Sequence, residues 1–178
     1  MKNNFFQSAA MHGLIIGLAL IVVSLLDWAL GFYGTNGWFS ILSFVVIAIG
    51  LVLFGKAYRD KEMGGYMSYG QAFGYSIVII VIFVFAQTLF SLLLSHVIDP
   101  SYTDKALVLA EQKLLDTGLL SPEQIDKAME MSRTPTVQII NFIVGIFSLI
   151  FMSAIIALIT SIFVKRNNPN PFAEQEQI

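Results

Sequence analysis

Four long runs of apolar residues, separated by shorter polar segments, dominate the chain. The runs cover residues 9–32, 38–54, 70–97 and 137–164. A helix needs roughly 20 mostly apolar residues to cross the roughly 30 Å hydrocarbon core of a bilayer. The pattern therefore predicts an all-α fold, an integral membrane four-helix bundle in which each run forms one span.

The only sizeable polar segment lies between the third and fourth runs, and it predicts a helical hairpin over residues 101–133. Gly118 is a typical C-terminal stop for its first helix. Ser121, Pro122 and Gln124 are a typical start for its second helix, with a capping box and a proline in the first turn. The apolar side of this hairpin either covers the outer ends of the spans or receives a partner.

The third run opens with polar and small residues, as "MSYGQAFGYSIVIIVIFVFA". Ser68 and Gln71 have the spacing of a capping box, in which each side chain pairs with a free backbone N–H of the first turn. Pairing these groups matters at a membrane boundary, because an unpaired backbone donor in hydrocarbon costs several kcal/mol. The sequence therefore predicts that the third helix begins at Ser68.

Two pairs of glycines predict where the spans pack. Gly13 and Gly17 in the first run, and Gly70 and Gly74 in the third, both have the GxxxG spacing that allows close approach of membrane helices. The first and third spans leave from the same side of the membrane and are therefore parallel. We expect them to cross at these four glycines.

The same alignment predicts a polar cluster inside the membrane. If Gly13 lies beside Gly74, Asp27 lies level with Thr88, since each follows its glycine by fourteen residues, or about 21 Å of helix. The predicted cluster consists of Ser24, Asp27, Gln87, Thr88 and Ser91. An ionisable residue inside a span is a functional candidate by default. Asp27 lies close to the outer surface, however, where a structural hydrogen bond would also explain it.

Composition supports a membrane protein and excludes several other classes. Of the 178 residues, 56% are hydrophobic and 12% are charged, against about 25% charged residues in soluble domains. The net charge of -2 argues against a nucleic-acid partner. The sequence contains no cysteine, no serine–histidine–acid triad, no phosphate loop and no metal-ligand spacing. We expect no enzymatic activity, no catalytic residue, no cofactor and no metal site.

The basic residues near the span ends predict the orientation, because cytoplasmic loops carry an excess of Lys and Arg. One side carries Lys2, Lys56, Arg59, Lys61, Lys165 and Arg166. The other carries Lys105, Lys113, Lys127 and Arg133, spread through a longer acidic loop. Both termini should be cytoplasmic and the helical hairpin extracytoplasmic. Residues 1–166 would form the four-span membrane domain, and residues 167–178 a disordered cytoplasmic tail.

The sequence "GGYMSYGQAF" at the start of the third span, the four spans and the long acidic helical loop resemble a bacterial membrane family, that of the domain of unknown function 4199. The likeness covers nearly the whole chain. It implies a location in the bacterial inner membrane. Genes of this family often lie near the gene of a glycosyltransferase of the polyprenyl-phosphate type, so the resemblance also implies an accessory role in envelope glycoconjugate assembly. The resemblance transfers no functional residue.

Two functions are compatible with these observations. The first is a structural or accessory subunit, embedded in the lipid bilayer, that binds another membrane protein or itself. The second is a small transporter, or a component of lipid-linked-sugar translocation, that uses the polar residues around Asp27. The first predicts association through exposed span faces, and the second predicts a cleft that leads from the outer side toward Asp27.

Overall fold

The computed structural model describes residues 4–169, and every regular element in that range is helical. The helices are α1 (Phe5–Ala29), α2 (Gly37–Glu62), α3 (Tyr69–Leu93), α4 (Tyr102–Thr117), α5 (Pro122–Ser132) and α6 (Pro135–Val164). A π-helical turn, Leu94–Ile98, extends α3. The all-α prediction is confirmed. Most of the tail predicted at residues 167–178 lies outside the described residues.

Four of these helices, α1, α2, α3 with its π-helical turn, and α6, are long and apolar enough to cross a membrane. Their outward surfaces carry large apolar side chains that the chain itself leaves exposed, among them Leu18, Ile41, Phe85, Phe147 and Phe151. Such a surface is unusual for a protein in water. It is the surface expected of spans that face lipid.

The four long helices follow one another around the bundle in the order α1, α3, α6, α2. We call the end where α1 leads into α2 the turn end, and the end where α1 begins and α6 finishes the terminal end. Helices α1 and α3 run toward the turn end, and α2 and α6 run away from it. The fully buried Ile47, Leu51, Tyr75, Ile79 and Phe83 fill the space between them.

Helix α1 packs directly on α3, and two of its glycines make this possible. A Cβ placed at Gly13 would lie 2.8 Å from the Cβ of Ile82 and 2.9 Å from the carbonyl oxygen of Ile79. A Cβ at Gly17 would lie 3.2 Å from that of Ala86. The backbone of α3 therefore occupies the space that side chains on α1 would need.

The prediction that Gly70 and Gly74 take part in this contact is wrong. No heavy atom of residues 4–169 beyond each glycine's own surroundings lies within 4 Å of a Cβ built at either position. Gly74 instead lines an open cavity at the terminal end, beside Phe5 and Tyr58. The physical reason is that close approach needs a small residue on only one of two helices. Gly13 meets α3 roughly two turns beyond the predicted position.

Glycines that sequence spacing did not single out fix the position of α2. A Cβ at Gly50 would lie 2.7 Å from Cδ1 of Ile16 on α1. A Cβ at Gly55 would lie 2.8 Å from Cγ2 of Val164 on α6. Each glycine accepts one branched side chain from a neighbouring helix, so α2 is held between α1 and α6.

The capping boxes predicted at Ser68 and Ser121 and the helix end predicted at Gly118 are confirmed. At α3 the Ser68 hydroxyl accepts from the Gln71 backbone N–H at 3.3 Å, and the Gln71 side-chain oxygen accepts from the Ser68 N–H at 2.9 Å. Ser121 and Gln124 make the same two bonds at the start of α5. Gly118 ends α4 with a φ of +61°.

Hydrogen bonds to backbone groups connect neighbouring elements at the terminal end. Met67 and Arg166 exchange two backbone hydrogen bonds of 2.8 and 2.9 Å as an isolated antiparallel bridge. The Arg59 guanidinium donates to the carbonyl oxygen of Val164 at 2.8 Å. These bonds connect the end of α6 to α2 and to the loop that precedes α3.

Candidate functional site

The turn between α1 and α2 forms around the side chain of Asp27. After α1 the chain reverses direction through residues 30–36, with positive φ angles at Gly31, Tyr33 and Gly34. Oδ2 of Asp27 accepts a hydrogen bond from the backbone N–H of Gly34. The hydrogen bond to Oδ2 therefore holds the turn against the last turns of α1.

Asp27 also lines a polar cleft. The residue is only 5% exposed, and its Oδ1 has no hydrogen-bond partner among residues 4–169. The cleft has a volume of about 140 Å³ and lies between α1, α2 and the start of α4. Besides Asp27, the residues in its walls include the hydroxyl-bearing Ser24, Ser40 and Ser43 and the aromatic Phe39 and Tyr102.

The structure brings together only part of the predicted polar cluster. The Gln87 amide donates to the Ser24 hydroxyl at 2.7 Å, which joins α3 to α1. Asp27 makes no hydrogen bond to Gln87, Thr88 or Ser91, because its Oδ2 accepts from the turn and its Oδ1 has no partner among residues 4–169. The shift in register between α1 and α3 is the cause. Gly17 packs against Phe83 and Ala86, so Asp27, ten residues further along α1, lies level with about residues 93–96 and beyond Thr88.

A second carboxylate, Asp99, connects three elements at the turn end. It accepts from Nε1 of Trp28 at 3.0 Å, from the Ser101 hydroxyl at 2.6 Å and from Nζ of Lys105 at 2.8 Å. Bonds from Lys105, Ser101 and Trp28 lower the pKa of the Asp99 carboxyl far below its usual value. Asp99 therefore holds the end of α3 against α1 and α4 as a charged group.

Sequence reasoning missed Asp99 and treated it as one of several loop acids. A local signal exists, because Asp99, Pro100 and Ser101 form a turn in which the aspartate side chain accepts from the backbone N–H two residues later. The bond to Trp28 depends on the length of the π-helical turn. No local pattern predicts that bond.

Helix α4 lies against the turn. The Tyr102 ring packs edge-on against Tyr33, with 5.5 Å between the ring centroids, and Nζ of Lys105 lies 5.3 Å from the centroid of Tyr33. The Lys113 ammonium donates to the carbonyl oxygen of Thr35. Burial, with the nearby Asp27, raises the pKa of Tyr102 above its usual value, so its phenol stays protonated at neutral pH.

Helix α6 presents two different faces. Ser153, Ala157 and Ser161 are buried against the bundle. Asn141, Gly145, Ser148 and Met152, spaced along the other face, are exposed. No heavy atom of the described chain outside the α6 backbone lies within 4 Å of a Cβ built at Gly145. Helix α6 therefore has a polar and small-residue face without a neighbour among residues 4–169.

The two histidines make separate local contacts. Nδ1 of His12 lies 2.6 Å from the hydroxyl of Tyr75, and Nδ1 of His96 lies 2.9 Å from the hydroxyl of Ser95. Among residues 4–169 no three His, Cys, Asp or Glu side chains are grouped so as to hold a metal ion. Within this range the cleft around Asp27 and the outward face of α6 are the stronger candidate sites.

Comparison with known families identifies one over most of the chain. The model of a family described as "Protein of unknown function (DUF4199)" matches residues 11–166. The matched region includes most of α1 and all of the other helices. No curated protein and no solved structure matches the chain.

Proposed function

Because the chain belongs to the DUF4199 family of proteins of unknown function, we propose a function from its geometry: a non-enzymatic integral membrane protein that acts as a structural or accessory subunit. The observation that supports this proposal is the outward face of α6. Only 11% of the most apolar stretch of helix α6 is buried inside the protein, which is the smallest such share among the four candidate spans. A span with so little internal packing has a large surface for association.

A second copy of the chain suits this face. Copies inserted in one direction bring equivalent residues to the same depth, which is the arrangement a two-fold interface requires. The Asn141 amide can both donate and accept, so two such amides can pair with each other. Gly145, one helical turn further, would let the two backbones approach. Asn141 and Gly145 are therefore the proposed centre of a homodimer.

Cross-linking and mass measurement in bilayers test the subunit proposal. The chain has no cysteine, so Ser148→Cys introduces a unique thiol, and we expect a disulfide-linked dimer on oxidation. Gly145→Leu and Asn141→Leu should abolish this product. Val81→Leu, on an exposed face of α3, should leave it unchanged. A strictly monomeric protein in several mild detergents and in bilayers would contradict the proposal, and copurification of a different membrane protein would replace the second copy as the partner.

We also propose the cellular setting. The basic residues near the span ends support an orientation with both termini in the cytoplasm. A bacterial inner-membrane location and a role in envelope glycoconjugate assembly follow from the family resemblance alone. Deletion of the gene, followed by analysis of envelope glycoconjugates, tests that role. An unchanged glycoconjugate profile would contradict it.

A second candidate function is supported by the cleft beside Asp27. A small transporter or a component of lipid-linked-sugar translocation needs a polar site that is open to one side of the membrane. Asp27, whose Oδ1 is buried without a partner among residues 4–169, and the serine residues around it support such a site at the turn end. Translocation of a lipid-linked sugar in proteoliposomes should fall in Asp27→Asn. Full transport by that variant would remove this candidate.

A further inference from the structure

We propose that the cleft around Asp27 binds the primary ammonium group of a lipid head group. This inference goes beyond the accessory role, because it uses the turn end of α1 and α2 and no residue of α6. It also requires binding only, so it does not depend on transport. The cleft can therefore be tested without knowledge of any partner or cargo.

Two buried side-chain oxygens in and behind the wall of the cleft lack hydrogen-bond donors. Oδ1 of Asp27 and Oε1 of Gln87 are both buried without a partner among residues 4–169. Gln87 is connected to the cleft through Ser24, which lines it. Leaving a charged oxygen unpaired in a buried position is costly. An ammonium group has three N–H donors and the opposite charge, so it answers this demand.

The residues that form the walls of the cleft suit an organic cation. Phe39 and Tyr102 contribute aromatic rings, and Ser40 and Ser43 contribute hydroxyl oxygens, to the same cleft that holds the carboxylate. Aromatic rings attract cations through their faces, a recurring feature of ammonium-binding sites. A divalent metal ion would need more anionic oxygens than this single carboxylate provides. The mixture of rings, hydroxyls and one carboxylate suits an organic cation.

Neighbouring lysines do not replace the ligand. The Lys105 ammonium bonds to Asp99, and the Lys113 ammonium donates to the carbonyl oxygen of Thr35. Neither lysine bonds to Asp27, whose Oδ2 accepts from the backbone of Gly34. Within residues 4–169, the carboxylate of Asp27 is therefore left for the cation of a ligand.

The position of the cleft identifies a lipid as the source of that cation. It lies where α1 ends and α2 begins, next to Trp38, which is 77% exposed. Exposed tryptophan is typical of the level of lipid head groups. Leu26 and Leu42 are exposed near the same level, so acyl chains can lie along α1 and α2. The small volume accommodates a head group and leaves those chains in the bilayer.

Lipid retention measured by native mass spectrometry tests this assignment. The full chain is reconstituted with equal amounts of phosphatidylethanolamine and phosphatidylcholine that share the same acyl chains. Phosphatidylcholine carries the same phosphate and a fully methylated ammonium, which has no N–H donor. We expect retention of phosphatidylethanolamine, and a decrease of about tenfold in Asp27→Asn, which removes a charge-assisted bond.

Two further variants make the test specific. Ser40→Leu places a larger apolar side chain in the cleft, removes neither partner of the Asp27 to Gly34 bond and should also lower retention. Asp104→Asn changes an exposed acid on α4 outside the cleft and should retain lipid as the native chain does. Thermal unfolding of each variant identifies any that fail to fold.

Three results would overturn the proposal. These are equal retention of the two lipids, unchanged retention in both Asp27→Asn and Ser40→Leu, and saturable binding of soluble ethanolamine with no retention of phosphatidylethanolamine. The last result would keep the ammonium but assign it to a free amine. Because the dimer cross-link at Ser148→Cys is measured separately, failure of the subunit proposal and failure of this one are distinguishable.

Discussion

At the scale of single residues, the same amino acid has opposite roles at different positions. Gly13 is in tight contact with the backbone of α3, whereas Gly74 faces an open cavity. GxxxG spacing identifies both as packing residues. The difference depends on which side of each helix faces its neighbour, and that is a property of the assembled bundle.

These two glycines form a matched pair for mutation. Gly13→Ala should destabilise the protein by roughly 1–3 kcal/mol, the usual cost of overpacking, because the added methyl group meets Ile82 and the backbone at Ile79. Gly74→Ala should leave stability unchanged or raise it, since alanine is the better helix former. Thermal unfolding in detergent measures both variants. A larger loss in Gly74→Ala than in Gly13→Ala would contradict the packing of α1 on α3.

The Asp99 carboxylate predicts an acid-sensitive contribution to stability. Its pKa is lowered in the folded protein, so its contribution is fully present above the pKa of the unfolded chain, about 3.9. That contribution is lost as the pH falls from there toward the folded pKa. Melting temperatures from pH 7 to pH 3 should therefore show a stability difference between the native chain and Asp99→Asn that decreases below about pH 4. A constant difference across this range would show that the charge of Asp99 has no part in the contact.

At the scale of helices, local signals were the most reliable guide. The capping boxes at Ser68 and Ser121 and the stop at Gly118 involve residues within one turn of each other, so the sequence determines them. The alignment of α1 with α3 involves residues far apart in the chain and was predicted wrongly. Because this close approach needs glycine on only one of the two helices, no matching pair of glycine motifs marks the contact in the sequence.

The capping box of α3 predicts a measurable loss. Ser68→Ala removes the acceptor for the Gln71 N–H and should cost about 1 kcal/mol. Hydrogen exchange should increase at the first turn of α3 in this variant. Ser121→Ala, the equivalent change in α5, should increase exchange in α5 and leave α3 protected. Unchanged exchange in the first turn of α3 would show that water replaces the serine hydroxyl there.

In the candidate site, too, the residues that local sequence identifies differ from those that tertiary packing adds. Sequence reasoning identified Ser24, Asp27 and Gln87 because polar residues inside an apolar run are conspicuous. It could not identify Phe39, Ser40 and Tyr102, which ordinary patterns place in a span or at a helix start. The cleft arises where three helices and a turn meet, and its composition depends on tertiary packing.

At the scale of the whole molecule, the two ends of the bundle have different chemistry. The turn end has the cleft, the Asp99 contacts and the cover formed by α4. The terminal end has the backbone bridge and the cluster of basic residues. This asymmetry is the basis for the orientation that we propose.

Single cysteines test that orientation, because the chain has none of its own. In intact cells a membrane-impermeant maleimide should label Glu123→Cys on α5. It should label Asn167→Cys, beyond α6, only after the membrane is opened. Both residues are exposed, so access to each thiol depends on the side of the membrane. The reverse pattern would show that the termini lie outside the cytoplasm.

The bridge between Met67 and Arg166 has a consequence for biosynthesis. Met67 emerges from the ribosome well before Arg166, after α1 and α2 but before the last span has been made. Helices α1 and α3 can already dock on each other in the nascent chain, while the backbone groups of Met67 wait for a partner. The loop ahead of α3 is therefore secured only after α6 has been made, and a truncated product that lacks α6 would be exposed to quality-control proteases at that loop.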